Sequence, residues 1–237
     1  MVPLSFAPFE FAGEEWLLGS DRALFWPREG ALLVADLHLE KASFFARPGQ
    51  MLPPYDTRAT LERVALATRA TGARRVFCLG DNFHDGHGPQ RLEAHAAGML
   101  AALTRATDWV WITGNHDAAL TAGIGGTVVD EARVGPAVLR HRAARGEPAP
   151  ELSGHWHPRL RLVHRGRRIN RPCAVASAAP GGAGRLVLPA FGELTGGMDA
   201  ADPAIVSAMQ PARAIDALVP AAGRVMQFPL WRSPAEP

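Results

Sequence analysis

Seven residues carry the side chains of a metal site at spacings a metal site can use: Asp36 and His38 in "DLH", Asp81 in "GDN", Asn115 in "GNHD", His141 at the end of "AVLRH", and His155 and His157 in "GHWH". All offer oxygen or imidazole nitrogen, and none is a thiolate. In an extended chain residues i and i+2 project to the same face, so Asp36 and His38 are placed to grip one ion together, as are His155 and His157. Asp81 and Asn115 each follow an apolar run and a glycine that lets the backbone turn sharply. Taken singly, a strand-end Asp is a turn former and a His is a satisfied polar group. Clustered at five places in one chain, they exceed what turns require, because turns do not need histidine. Seven ligands are more than one tetrahedral ion takes and suit two ions sharing a carboxylate; Asp81 is the natural bridge. Imidazole, carboxylate and amide donors favour Mn²⁺, Fe²⁺, Zn²⁺ or Co²⁺ over Ca²⁺ and Mg²⁺ without choosing among the four; Mn²⁺ is the first expectation. The chemistry of such a pair is hydrolytic, since the ions lower the pKa of water and neutralise the oxygens of an anionic ester.

Strands must present these clusters. "ALLVADLH" (31–38), "RVFCLGDN" (75–82), "WVWITGNHD" (109–117) and "AVLRH" (137–141) are short apolar runs that end in the candidate ligands, the pattern of buried strands feeding loops. Helical stretches separate the first three. "YDTRATLERVALATRATG" places Leu61, Val64, Ala65 and Thr68 at helical spacing with Gly72 as the stop, and "PQRLEAHAAGMLAALTRAT" is its counterpart. This alternation predicts a parallel or mixed sheet with crossover helices. In the second half, "RLRLVHRGRRI", "CAVASAA" and "GRLVLPA" read as antiparallel strands, with no long amphipathic helix before residue 203. The expected fold class is α/β (α+β), two facing mixed β-sheets with helices outside, in a single domain over residues 1–237.

Composition bounds the function. The chain has 237 residues, 47% hydrophobic and 20% charged, ordinary for a soluble globular protein. A net charge of +2 and a pI near 8.9 permit anionic partners without marking nucleic acid. Lys41 is the only lysine among 25 cationic residues; so many arginines fit either phosphate recognition or a bias toward Arg, Ala, Pro and Gly. Cys78 and Cys173 sit in apolar surroundings without CxxC spacing, which argues against a disulfide scaffold and suits a reducing compartment. The opening "MVPLSFAPFEFAGEEW" lacks a basic n-region, and no apolar run reaches about 18 residues. The expected location is cytoplasmic, with no membrane partner.

The ordered set DxH, GD, GNH[DE], a lone His and GHxH, over residues 36–157, resembles the calcineurin-like metallophosphoesterases. The resemblance implies a four-layer αββα sandwich with a dinuclear metal centre at the strand ends. It implies that Asp36, His38, Asp81 and His157 hold one ion and that Asp81, Asn115, His141 and His155 hold the other. It also makes His116 the residue that contacts phosphate and leaving group. As a general acid His116 would protonate the leaving alkoxide, with Asp117 or Asp85 setting its tautomer. The usual second aspartate of GDxxD falls on His84, one place before Asp85, so either is a candidate to orient His116. The flanks "LLVADLHLEKASFFARPGQMLPPYDTRATLERV" and "LPAFGELTGGMD" (188–199) resemble the bacterial ligase-associated DNA damage response endonuclease branch. Protein serine/threonine phosphatases carry arginines absent from "GDNFHDGHG" and "ITGNHD", and lipid A precursor hydrolases replace the histidine of GNHD by arginine.

The expected activity is metal-dependent hydrolysis of a phosphodiester substrate, DNA in a repair setting, with association with a DNA ligase and a helicase. Alternatives are a small-nucleotide or cyclic-nucleotide phosphoesterase, and a metal-holding binding partner of such a repair system. "RLRLVHRGRRINR" (159–171), directly after the last ligands, holds six arginines and one histidine. It is either a guide for a polyanionic backbone or the solvated face of a hairpin. His84, His87 and His95 are expected outside the ligand set, "ARGEPAPE" (144–151) forms a surface loop, and "GGAGRL" (181–186) is a hairpin turn rather than a nucleotide cradle.

Overall fold

A computed structural model describes residues 4–117, 122–144, 147–179 and 183–234. The chain opens with an antiparallel meander of β1 (Phe6–Phe11), β2 (Glu14–Gly19), β3 (Leu24–Trp26) and β4 (Ala31–Val34). Ala12 and Gly13, at φ 53° and 75°, make the tight first turn. After α1 (Lys41–Ala46) and α2 (Asp56–Thr71), the sheet continues in parallel through β5 (Arg75–Leu79), β6 (Asp108–Ile112) and β7 (Thr127–Val129). Helix α2 ends as expected at Gly72, which takes φ 66° and returns its N–H to Thr68 O. The next helical stretch is broken: Leu92, with ψ 125°, separates α3 (Gly88–Arg91) from α4 (Ala94–Ala106).

The second sheet has the order β16-β15-β13-β14-β10-β9-β8. Its strands are β8 (Glu131–Val134), β9 (Ala137–Arg140), β10 (Glu151–Ser153), β13 (Ala174–Ala178), β14 (Arg185–Val187), β15 (Ala214–Ala221) and β16 (Arg224–Arg232). β11 (Arg159–His164) and β12 (Arg167–Pro172) form a separate antiparallel hairpin. β13 and β14 are antiparallel as their sequences suggest, but β10 pairs in parallel with both β9 and β14. That pairing aims the C-terminal ends of β9 and β10 the same way, and both ends carry candidate ligands. Part of "GGAGRL" and of "ARGEPAPE" lies outside the described residues; Ala179 N–H donates to Ala183 O at 3.0 Å across the β13–β14 connection.

Three apolar clusters make the layers. Trp16, Trp26, Leu33, Phe77, Leu79 and Ile112 of the first sheet meet Leu139, Leu152, Leu186 and Leu218 of the second. On the outer face of the first sheet, Val34, Val76, Cys78 and Trp111 pack on Leu61, Val64 and Leu100 of α2 and α4. On the outer face of the second, Val175, Val187 and Ala217 pack on Leu160 and on Ile205 of α5 (Pro203–Ala208). The result is the αββα sandwich, with a fourth layer reduced to one six-residue helix and the β11–β12 hairpin. No helix among the described residues is long and apolar enough to cross a membrane.

Candidate metal centre

The seven residues singled out from sequence all follow the C-terminal ends of strands: β4 for Asp36 and His38, β5 for Asp81, β6 for Asn115, β9 for His141, and β10 for His155 and His157. Open α/β sheets bind ligands at these ends. Hydrogen bonds lace the first two loops together, from Asp36 N–H to Gly80 O (3.1 Å), His38 N–H to Asp81 O (2.9 Å) and Leu39 N–H to Asn82 O (2.9 Å). The loop 188–199 closes over them, with Gly192 N–H donating to Asp36 O at 3.2 Å.

The alternation argument for the DxH and HxH pairs fails in detail. Asp36, His38, His155 and His157 are not extended: their φ angles are 53°, 43°, 73° and 46°, and Asp81 sits at 48°. Left-handed backbone in non-glycine residues costs on the order of 1–3 kcal/mol apiece and persists where surrounding structure over-determines it. Here the cross-loop hydrogen bonds do so, and the strain is concentrated on proposed ligands.

Two groups of donors converge. In the first, His157 Nε2 lies 3.5 Å from Asp36 Oδ1 and 3.3 Å from His38 Nε2. In the second, His141 Nε2 lies 3.0 Å from His155 Nδ1, 3.0 Å from Asn115 Oδ1 and 3.5 Å from Asp81 Oδ1. Asp81 stands between them, its Oδ2 being 3.8 Å from His38 Nε2. The chemistry of the donor set fits a cation. His141 Nδ1–H donates to Leu79 O at 3.0 Å, so its Nε2 is a lone pair, and that lone pair faces amide and carboxylate oxygens, which also only accept. Burial, with the neighbouring His157, His116 and His84, pushes His38 down to about 2, and burial with Lys41 and His116 pushes His84 down to about 4. These rings are neutral at neutral pH and offer lone pairs. Asp36 and Asp81 are buried at 0% and 3% exposure, whereas Asn115 is exposed and His155 and His157 half-buried. Such a site has a carboxylate floor and a solvent-open rim.

His116 points into this rim. Its N–H donates to Asp81 Oδ1 (3.0 Å) and its Nε2 lies 4.0 Å from Asp81 Oδ2. The group on its Nδ1 is the backbone carbonyl of His84, at 2.7 Å. Asp85 is engaged elsewhere, paired with Arg91, which holds its carboxyl below the usual range. Asp117 is a clamp: its oxygens accept from the N–H groups of Asn82 (3.0 Å), Phe83 (3.2 Å) and Gly114 (2.8 Å), tying the β5 and β6 loops together. The His84 ring stacks on His116 and brings its Nδ1 within 3.4 Å of His38 Nδ1, so His38, His84 and His116 form a third convergent group. Of the residues the sequence offered to orient His116, which were His84, Asp85 and Asp117, it is His84 that meets Nδ1, through its backbone carbonyl, an atom that carries no residue-type signal.

Two glycines are fixed by close approach. A Cβ on Gly114 would lie 2.3 Å from Asp81 N, and one on Gly80, at φ 80°, would lie 2.3 Å from His141 Nδ1. Gly80→Ala is expected to displace the His141 ring and weaken Mn²⁺ binding by about 10–100-fold, the range seen when the support of a metal ligand is lost. Calorimetric titration checks this, and an unaltered affinity would separate His141 from metal binding.

A sequence model of the calcineurin-like phosphoesterases matches residues 31–178, which spans every proposed ligand. Among solved structures, the nuclease MPE from Pseudomonas putida is similar at 30% identity and TM-score 0.70, over 94% of this chain and 100% of that one. A conserved protein from Streptococcus pneumoniae TIGR4, described as a "predicted phosphoesterase", aligns at 14% identity and TM-score 0.34 over 84% of this chain and 96% of its own. A search of curated proteins gives no match. With most of its length inside the family match and its polar clusters gathered at the strand ends, this chain belongs to the calcineurin-like phosphoesterase family and is a metal-dependent phosphoesterase.

Proposed function

We propose that this protein is a dinuclear-metal phosphodiesterase that cuts DNA in repair. The observation that carries the reading is the meeting of two groups of carboxylate, amide and imidazole ligand atoms at Asp81, beside a half-exposed His116 whose Nε2 is turned into the same space. Asp36, His38, Asp81 and His157 would hold one ion, and Asp81, Asn115, His141 and His155 the other, with Mn²⁺ the preferred metal and Fe²⁺, Zn²⁺ or Co²⁺ alternatives. When bound, such ions lower the pKa of water and neutralise phosphoryl oxygens.

The remaining steps fall to the chain. His116 Nδ1–H is held by His84 O, so the imidazolium form of the ring delivers its Nε2 proton to the leaving oxygen and is left as the neutral Nδ1–H ring. Lys41, whose charge is felt at both His38 and His84, attracts the anionic substrate. The open rim suits a polymer better than a small enclosed ligand. The nuclease from Pseudomonas putida, similar along its whole length, supports a nucleic acid as the substrate, and the choice of DNA rests on the sequence flanks. Work beside a DNA ligase and a helicase belongs to the same proposal and rests on the sequence flanks; a cytoplasmic location rests on the unpaired cysteine spacing and the N-terminal sequence.

Mn²⁺-loaded protein should cleave labelled single-stranded or duplex DNA and hydrolyse bis-p-nitrophenyl phosphate, with both activities lost to chelator and restored by metal. DNA cleavage should fall steeply with added salt, as counterion release requires, while turnover of the small diester should not. Turnover of the small diester without DNA cleavage would move the substrate to a small nucleotide. No turnover on either, with metals present by elemental analysis, would remove the catalytic reading.

A further inference from the structure

The β11–β12 hairpin has a charge pattern that folding does not explain. Residues 159–172 hold six arginines and no acid, while the rest of the chain has more Asp and Glu than Lys and Arg. No ion pair to these six guanidinium groups is found among the described residues. Like charges gathered on one hairpin destabilise it, so an anion from outside is the natural counterpart.

The register decides where the charges point. Arg161 pairs with Asn170 and Val163 with Arg168, so Arg159, Arg161, Val163 and Arg168 share one face, while Leu160 and Leu162 turn the other face to the core. Arg165 and Gly166, both at positive φ, make the two-residue tip. Val163 is 69% exposed, and Arg161, Arg165 and Arg168 are exposed, so this face is open. Its inner end is fixed to the metal centre: Arg161 Nη2–H donates to Gly197 O at 2.9 Å, and Gly197 lies so close to His157 that a Cβ there would stand 2.2 Å from His157 O. Arg159 begins the strand two residues after His157 and is braced by Asn170 Oδ1 at 2.7 Å. From Arg159 to the Val163–Arg168 pair the file runs about 13 Å at strand rise.

We propose that this face is a backbone track for the DNA strand that enters the metal centre, holding the phosphates flanking the scissile one. It rests on the nuclease reading and adds which surface binds the polymer. The hairpin has no aromatic residue, so it grips phosphate and not base. Its contribution is therefore independent of base sequence, and it acts only on substrates long enough to leave the metal centre.

The test compares metal-loaded wild type with the Arg165→Gln/Arg168→Gln double variant, chosen because both side chains are exposed and, among the hairpin arginines, the guanidinium bonded to the 188–199 loop is that of Arg161. The substrates are a single-stranded DNA oligonucleotide longer than about 16 nucleotides and bis-p-nitrophenyl phosphate. Each lost phosphate contact on a single strand lowers the salt slope by about 0.7, so the plot of log(kcat/KM) for DNA against log salt should become shallower by about 1.4. KM for DNA should rise about tenfold, with small-diester turnover altered by less than about twofold. An Arg165→Gln-free control with the same loss of charge, Arg69→Gln/Arg105→Gln on the exposed side of α2 and α4, should keep the wild-type slope. Equal slopes for wild type and hairpin variant, or an equal loss in the helix variant, would reduce the arginines to a solvated face and leave the nuclease reading standing. Wild type that turns over the small diester but never DNA would overturn both.

Discussion

Asp81→Ala is expected to abolish binding of both metal ions at once, and with it at least about 10³-fold of turnover, because Lewis-acid stabilisation worth several kcal/mol is lost. No other single substitution in the cluster should do this. Among the described residues Asp81 is the one whose two carboxylate oxygens face the two donor groups, Oδ1 toward His141 and Oδ2 toward His38. Asp36 offers a ligand atom to the first group alone, with Oδ1 toward His157, and meets the second only by accepting the His155 backbone N–H and lying 3.7 Å from His141 Nδ1, the nitrogen turned to Leu79 O. Asp36→Ala should therefore cost one ion before the other, and metal content after dialysis should separate the two variants. Stability gives a second readout. Saturating Mn²⁺ at about 100 times its Kd should stabilise the wild-type fold by about 2.7 kcal/mol per site, and Asp81→Ala should show none of that shift. In metal-free protein the change has opposing parts: it removes a carboxylate buried beside that of Asp36, which favours folding, and it removes the acceptor for the His116 N–H. Full metal occupancy in the variant would take the bridging role away from Asp81.

The convergence of the candidate ligands was legible because their chemistry is dear to the fold. Carboxylate and imidazole at the ends of apolar runs have no packing reason to be there, and each run in question became β4, β5, β6 or β9. The geometric reason was not legible. The DxH and HxH pairs converge through left-handed backbone held by the neighbouring loop, and such torsions come from tertiary hydrogen bonds that spacing does not encode. β1 to β3 went unread for a related cause. Trp16 and Trp26 pack with centroids 4.4 Å apart and planes tilted by 32° on adjacent parts of the meander, a contact between residues whose local patterns are short and mixed. The parallel pairing of β10 with β9 and β14 is likewise a tertiary choice; three-residue strands such as "ELS" carry too little pattern to announce a partner or a direction. Catalytic orientation was legible only as a choice among three residues. Asp85 is taken by Arg91 and Asp117 by loop amides, and His84 does the holding through its main-chain oxygen, an atom no residue type announces.

That arrangement yields the second large effect. His116→Ala is expected to keep both metals and lose about 10²–10⁴-fold in kcat on DNA, the range for a positioned general acid. The metals should stay because His116 meets the centre as a neighbour: its N–H donates to Asp81 from the backbone, which alanine preserves, and its Nε2 stands 4.0 Å from the nearest Asp81 oxygen. The loss should depend on the leaving group. A DNA alkoxide needs a proton as the bond breaks, whereas p-nitrophenolate leaves without one, so bis-p-nitrophenyl phosphate should lose far less than DNA. A ring that served only to contact phosphate would slow both substrates alike, and that outcome would withdraw the proton-transfer role. Asp85→Asn supplies the contrast, since its carboxylate lies on Arg91 and the Nδ1 partner is a carbonyl that this substitution leaves in place. If Asp85→Asn fell as far as His116→Ala and shifted the pH profile with it, the carboxylate would have to reach His116 during turnover, and the His84 carbonyl would be its resting partner only.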